Sequence, residues 1–157
     1  MTLELREFRP GDETVFRELN EAWIAAYFQI EAKDREVLND PQTYILDRGG
    51  HIYFAVNAET DEALGCCALL AMEPGVFEVA KMTVSEKWRG HRIGRKLLRG
   101  TIDAARALGA TRLYLETNHT LTNAIELYCS EGFQHFRPED TQPSRYARAD
   151  VFMERLL

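Results

Sequence analysis

Apolar and polar residues alternate from Leu3 to Phe8, the two-residue period of a half-buried strand. Pro10-Gly11-Asp12 then turns the chain, and Asp12 stands where it can cap a helix. Val15, Phe16, Leu19, Trp23, Ala26 and Tyr27 recur at helical spacing, and a more charged helix is expected over about 31–38, ending at Asp40-Pro41. After the Gly49-Gly50 break the period returns to strand. A buried run at 52–56, a turn at 57–61, a strand over about 63–72, a turn at Pro74-Gly75 and a strand over 76–85 follow. Ile93, Leu97, Leu98, Ile102, Ala105 and Leu108 mark a long amphipathic helix, with Gly109 placed as its C-terminal cap. A short strand at 113–117, a helix over about 121–130 stopped by Gly132, and strands at 133–136 and 151–157 complete the pattern. A polar, proline-containing loop separates the last two strands.

The predicted order is β-α-α-β-β-β-α-β-α-β-β. A strand, a long helix and a strand in mid-chain imply a right-handed crossover with parallel pairing, whereas the hairpins around it are antiparallel. The expected class is therefore α/β: a mixed sheet with helices on both faces. Length supports one domain over residues 1–157, and a chain of this size buries enough surface to need no disulfide or metal staple.

Charge changes the picture in two ways. A formal net charge of −6 argues against bulk attraction to nucleic acid or anionic membrane. No apolar run approaches the ~20 residues that span a bilayer, and the mixed, charged N-terminus is unlike a signal peptide, so a cytoplasmic location is expected. Against this acidic background, residues 87–99 hold six basic side chains (Lys87, Arg89, Arg92, Arg95, Lys96, Arg99) and no acid. They surround the entry to the long helix, Arg89-Gly90-His91-Arg92-Ile93-Gly94. Glycines there let backbone approach a ligand, and unpaired first-turn amides with the helix dipole favour an anion such as a pyrophosphate. A solvated basic face with Gly90 as a plain turn is the alternative. Neither GxxxxGK[ST] nor GxGxxG occurs, which disfavours a kinase, a GTPase or a Rossmann dehydrogenase. Cys66, Cys67 and Cys129 show no CxxC spacing, and His51, His91, His119 and His135 no metal-ligand spacing, so no metal is expected.

The strand Val76-Phe77-Glu78-Val79-Ala80-Lys81-Met82-Thr83-Val84, followed by Trp88-Arg89-Gly90-His91-Arg92-Ile93-Gly94-Arg95-Lys96-Leu97-Leu98, resembles the acetyl-CoA signature of the GNAT N-acetyltransferases. That loop reads (Arg/Gln)-x-x-Gly-x-(Gly/Ala). Arg89 and Gly94 match it, and Arg92 stands at the central glycine. Ala124-Ile125-Glu126-Leu127-Tyr128 with Gly132-Phe133 resembles a second family segment, A-I-x-L-Y-x-x-x-G-F. Leu121 stands where the family often has a CoA-contacting asparagine, and neither Asn118 nor Asn123 replaces it by position.

The resemblance implies a GNAT-like sheet of about seven strands whose central parallel strands splay apart, with acetyl-CoA as acyl donor. Pantetheine is expected on the backbone of Met82, Thr83 and Val84. The pyrophosphate is expected on the amides of Arg89, Gly90, His91, Arg92, Ile93, Gly94 and Arg95. The implied activity is transfer of acetyl to a primary amine, on a small molecule or a peptide, by direct attack in a ternary complex. A homodimer is compatible with the family. Tyr128 matches the family's tyrosine and is the candidate general acid for the departing thiolate. Glu78 is the candidate general base: strict alternation puts it on one strand face with Ala80, Met82 and Val84, where partial desolvation favours proton uptake. The bland readings are a core tyrosine beside Ile125 and Leu127 and a solvated glutamate. Tyr27, Tyr146 and Arg148 are candidates for the acceptor pocket. Two rival functions stand beside the enzyme: a catalytically inactive CoA-binding sensor or regulatory module of the same fold, and a partner-binding α/β domain whose basic helix meets an acidic protein.

Overall fold

The computed structural model describes residues 1–137, 144 and 146–157; residues 138–143 and 145 of the polar loop before the last strand lie outside them. The elements run β1 (Leu3–Glu7), α1 (Glu13–Tyr27), α2 (Ala32–Asn39), α3 (Pro41–Tyr44), β2 (His51–Asn57), β3 (Ala63–Ala71), β4 (Val76–Val84), α4 (Ile93–Ala107), β5 (Arg112–Thr117), α5 (Thr122–Ser130), β6 (Gln134–His135) and β7 (Val151–Leu156). The sheet order is β1-β2-β3-β4-β5-β7-β6. Every pairing is antiparallel except β4 with β5, which the α4 crossover makes parallel. The one-turn helix α3 interrupts what the sequence suggested was loop. It is nucleated by Pro41 at its first turn and by Asp40, whose side chain accepts from Thr43 N.

β2 and β3 read as unbroken apolar runs because both their faces are covered. Cys66 and Ala68 of β3 face one cluster, with Phe16 and Ile24 of α1 and Val37 and Leu38 of α2. Cys67 and Leu69 face the other, with Leu97, Leu98 and Ile102 of α4. These three α4 side chains are buried, each stabilising the fold by about 1.5–3 kcal/mol relative to exposure. Asp12 is the residue before α1, but its carboxylate makes no helix cap. It grips the Arg6 guanidinium (2.7 and 3.1 Å) and accepts from Arg9 N, tying β1 to the turn.

The cysteines divide by burial. Cys66 and Cys67 are buried and Cys129 is exposed. Burial pushes both buried thiols up, Cys67 to about 12, so neither supplies thiolate near neutral pH. An aromatic disulfide reagent should therefore titrate one thiol in the native protein and all three after unfolding. Two fast thiols in the native state would contradict the packing of β3.

One departure from strand regularity shapes everything that follows. Ala68 pairs with Ala80 and Cys66 with Thr83, so two steps on β3 span three on β4. The extra residue is accommodated by a bulge at Lys81, whose φ of 52° is in the left-handed region. Alternation is reset there. Glu78 and Ala80 lie on the α1/α2 side of the sheet, while Met82 and Val84 pack on the α4 side. The expectation that Glu78 shares a face with Met82 and Val84 is thus corrected.

Candidate active site

β4 and β5 pair only through Val76–Arg112, Phe77–Leu113 and Glu78–Tyr114. Beyond Glu78 the two strands diverge, and the β5-facing edge of β4 has no strand partner. A cleft of about 710 Å³ opens there, walled by α1, the rest of β4, the 88–95 segment, the end of β5, α5 and residues 146–149. It gathers every candidate catalytic, cofactor-binding and acceptor-pocket residue except His91, which is exposed and packs edge-on against Trp88 just outside.

At one end of the cleft is the basic segment. Gly90 has φ 84° and Arg92 φ 62°, so the arginine adopts the left-handed conformation that the glycine of the family pattern provides without strain. The first helical bond of α4 runs from Lys96 N to Arg92 O. The amides of Ile93, Gly94 and Arg95 therefore precede the helical ladder. Not all of the local positive charge is available to a ligand. Lys87 pairs with Glu62 at 3.2 Å, and Arg95 and Arg99 converge on Glu131. Arg89 donates to the Tyr27 hydroxyl at 3.3 Å, and Arg92 has no acidic partner among the described residues.

Two features mark the floor as built for an extended polar ligand. Thr83 Oγ1 is buried without a hydrogen-bond partner among the described residues. A Cβ added at Gly94 would sit 3.7–3.8 Å from Met82, Leu127 and Val84, filling the floor without a clash. An unpaired strand edge, an orphaned hydroxyl, a hollow at Gly94 and free helix amides fit a peptide-like chain ending in phosphates.

Tyr128 reaches the cleft from α5, its ring edge-on to Phe133 at 5.9 Å. Among the described residues its hydroxyl has no hydrogen-bond partner, and burial, with some help from Cys67, pushes its pKa up. The far end of the cleft holds groups that local pattern did not reveal. Glu116, near the end of β5, accepts from Tyr114 Oη at 2.7 Å and from Ser144 Oγ. Asp34 of α2 is completely buried, bonded to Lys81 Nζ at 3.1 Å and to Arg148 at 2.7 and 2.8 Å. Glu78 lines the same end. A charged residue on a short, polar helix carried no signal of burial, and Lys81 became visible only through the bulge.

The GNAT acetyltransferase family model matches residues 13–133. The chain belongs to the GNAT family. As a GNAT acetyltransferase it is an acyltransferase, and its relatives agree. An IAA acetyltransferase of Azospirillum brasilense is 36% identical over 110 residues, covering 68% of this chain and 69% of that one. The N-acetyltransferase YjgM of Escherichia coli K12 is 30% identical over 118 residues, covering 71% of each. In fold, this GNAT chain superposes on a GNAT acetyltransferase from Staphylococcus aureus Mu50 with a TM-score of 0.87 at 20% identity, over 99% of both chains. The PaiA N-acetyltransferase of Thermoplasma acidophilum, solved with coenzyme A, gives 0.79 at 18% identity over the whole of both chains. No helix among the described residues is long and apolar enough to cross a membrane.

Proposed function

We propose that residues 1–157 act as one acetyl-CoA-dependent N-acetyltransferase domain that passes acetyl directly to a primary amine bound in the same cleft. The observation carrying this reading is the split between β4 and β5, which leaves a strand edge open beside a helix N-terminus with free amides. Bound acetyl-CoA would supply a thioester whose carbonyl carbon takes the amine's electron pair as the C–S bond breaks, and the proton shed by the attacking nitrogen would end on the thiolate. Met82, Thr83 and Val84 hold the pantetheine, and the loop from Arg89 through Gly90, His91, Arg92, Ile93 and Gly94 to Arg95 receives the pyrophosphate. Arg95 contributes its amide, because its guanidinium is engaged by Ser130 and Glu131.

Tyr128 directs its hydroxyl at the leaving sulfur. Its raised pKa keeps it protonated, so its contribution is a hydrogen bond to developing thiolate charge rather than a buffer for free protons. An alkylammonium near pKa ~10.4 is almost wholly protonated at neutral pH, so the acceptor must lose a proton before attack. Glu78 is the proposed base, on the acceptor side of the sheet.

Calorimetric titration with acetyl-CoA tests the reading. Wild type should bind in the micromolar range. Gly94→Val, which fills the hollow between Met82, Leu127 and Val84, should weaken binding at least about tenfold while the thermal midpoint stays close to wild type. No binding at millimolar ligand would favour the partner-binding reading instead. Binding without turnover of any amine would favour a CoA sensor.

A further inference from the structure

Among the described residues the acceptor end of the cleft contains two cations, and both are already neutralised by the protein. Lys81 Nζ lies 3.1 Å from Asp34 Oδ1, its side chain 7% exposed. Arg148 binds both oxygens of the same carboxylate, at 2.7 and 2.8 Å, and Glu31 Oε2 at 3.2 Å. Among the described residues both also lie against one ring. Tyr146 lies 4.6 Å from Lys81 Nζ and 4.5 Å from Arg148 Cζ by its ring centre, and its hydroxyl is 3.1 Å from Lys81 Nζ. Two positive charges thus face two carboxylates and an aromatic face. An incoming carboxylate could reach them only by displacing Asp34, which is fully buried and holds Arg148 in bidentate geometry, or Glu31, which holds the same guanidinium through a single contact.

Glu116 is different. Its hydrogen bonds come from the hydroxyls of Tyr114 and Ser144, both neutral, so its charge has no cationic partner among the described residues. Among the described residues the surplus charge at this end of the cleft is therefore negative, whereas the 89–95 end is positive. Such a field draws phosphates to one end and an ammonium to the other. The opposing wall is apolar, formed by the paired rings of Trp23, Tyr27 and Phe28.

We propose that the acceptor is an apolar-bodied primary amine with no carboxylate beside its amino group, its ammonium received by Glu116. Resting on the transferase reading above, this proposal names the acceptor class of the same site. Asp34 and Glu31 exclude amino acids by occupying the cations a substrate carboxylate would need. Exclusion here comes from like charge and lack of a counter-ion.

The test uses the full chain, acetyl-CoA, thiol release and matched pairs: phenethylamine against phenylalanine, and isoamylamine against leucine. In wild type each amine should exceed its amino acid in kcat/KM by about 100-fold or more. Glu116→Gln should shrink that ratio about tenfold, mainly through the KM of the amine, with acetyl-CoA affinity unchanged. Glu31→Gln, which frees Arg148 from one of its two carboxylates, should shift the ratio towards the amino acid. A wild-type ratio near or below one overturns the proposal. So does a ratio that Glu116→Gln leaves unaltered, or acetyl-CoA binding with turnover of neither member of either pair. Failure of acetyl-CoA to bind at all overturns the transferase reading, and this proposal with it.

Discussion

Asp34→Asn should cost about 3–5 kcal/mol of folding stability, the usual consequence of removing one partner from a buried ionic cluster. The substitution keeps the shape of the side chain but leaves Lys81, 7% exposed, beside a neutral amide and Arg148, 17% exposed, with Glu31 alone. Against total stabilities of about 5–15 kcal/mol this is a large fraction, readable by urea unfolding at pH 7. The acid limb gives a second readout. Burial by itself pushes the Asp34 pKa up, but the hydrogen bonds from Arg148 and from Glu31 N, and the charges of Lys81 and Arg148, outweigh it and bring it down to about 2. A carboxylate depressed in the folded state contributes stability above its unfolded value near 3.9, and that contribution disappears as pH falls through about 2. Asp34 should therefore account for about 2 kcal/mol of the loss between pH 4 and 2, and Asp34→Asn should flatten the curve there. A penalty below about 1 kcal/mol at pH 7, with an unaltered acid limb, would show that the cluster does not hold α2 to the sheet.

Tyr128→Phe should lower kcat about 100-fold with acetyl-CoA affinity and stability close to wild type, the size expected for losing one positioned hydrogen bond to developing charge. The structural cost is small because the hydroxyl makes no bond to the described residues, and the ring contact with Phe133 survives. Because burial raises the phenol's pKa, Tyr128 should add no alkaline limb to the rate profile below about pH 10. An unchanged kcat in Tyr128→Phe would remove the residue from the proposed mechanism and return it to core packing against Phe133. The measurement separates donation at sulfur from binding because kcat and acetyl-CoA affinity are read independently.

Much of the donor end of the cleft was legible along the chain. Residues 88–98 carry their information locally: glycines, first-turn amides and a helix face that follow one another within a few turns. Arg92 illustrates the limit of such reading. Its identity departs from the family pattern, yet its φ of 62° reproduces the conformation the pattern requires. The acceptor end was much less legible. Tyr146 and Arg148 stand near the end of a polar loop, Glu116 follows the alternation of a short strand, and Asp34 is one charge among several on a short helix, so none carries a local signal of its place. The reason is separation in sequence: Asp34 meets Lys81 47 residues away and Arg148 114 residues away.

Local patterning along the chain settles the class of fold, the order of its strands and longer helices, the basic helix entry at 89–95 and the segment carrying Tyr128. Those features follow from periodicity and local backbone preference, which neighbouring residues settle among themselves. Only the tertiary structure decided how strand β4 presents its side chains. One extra residue at Lys81 reversed the alternation, sent Glu78 to the α1/α2 side and brought Lys81 to Asp34. A two-residue period holds only while the ladder stays in register, and register is fixed by the partner strand rather than by the strand itself.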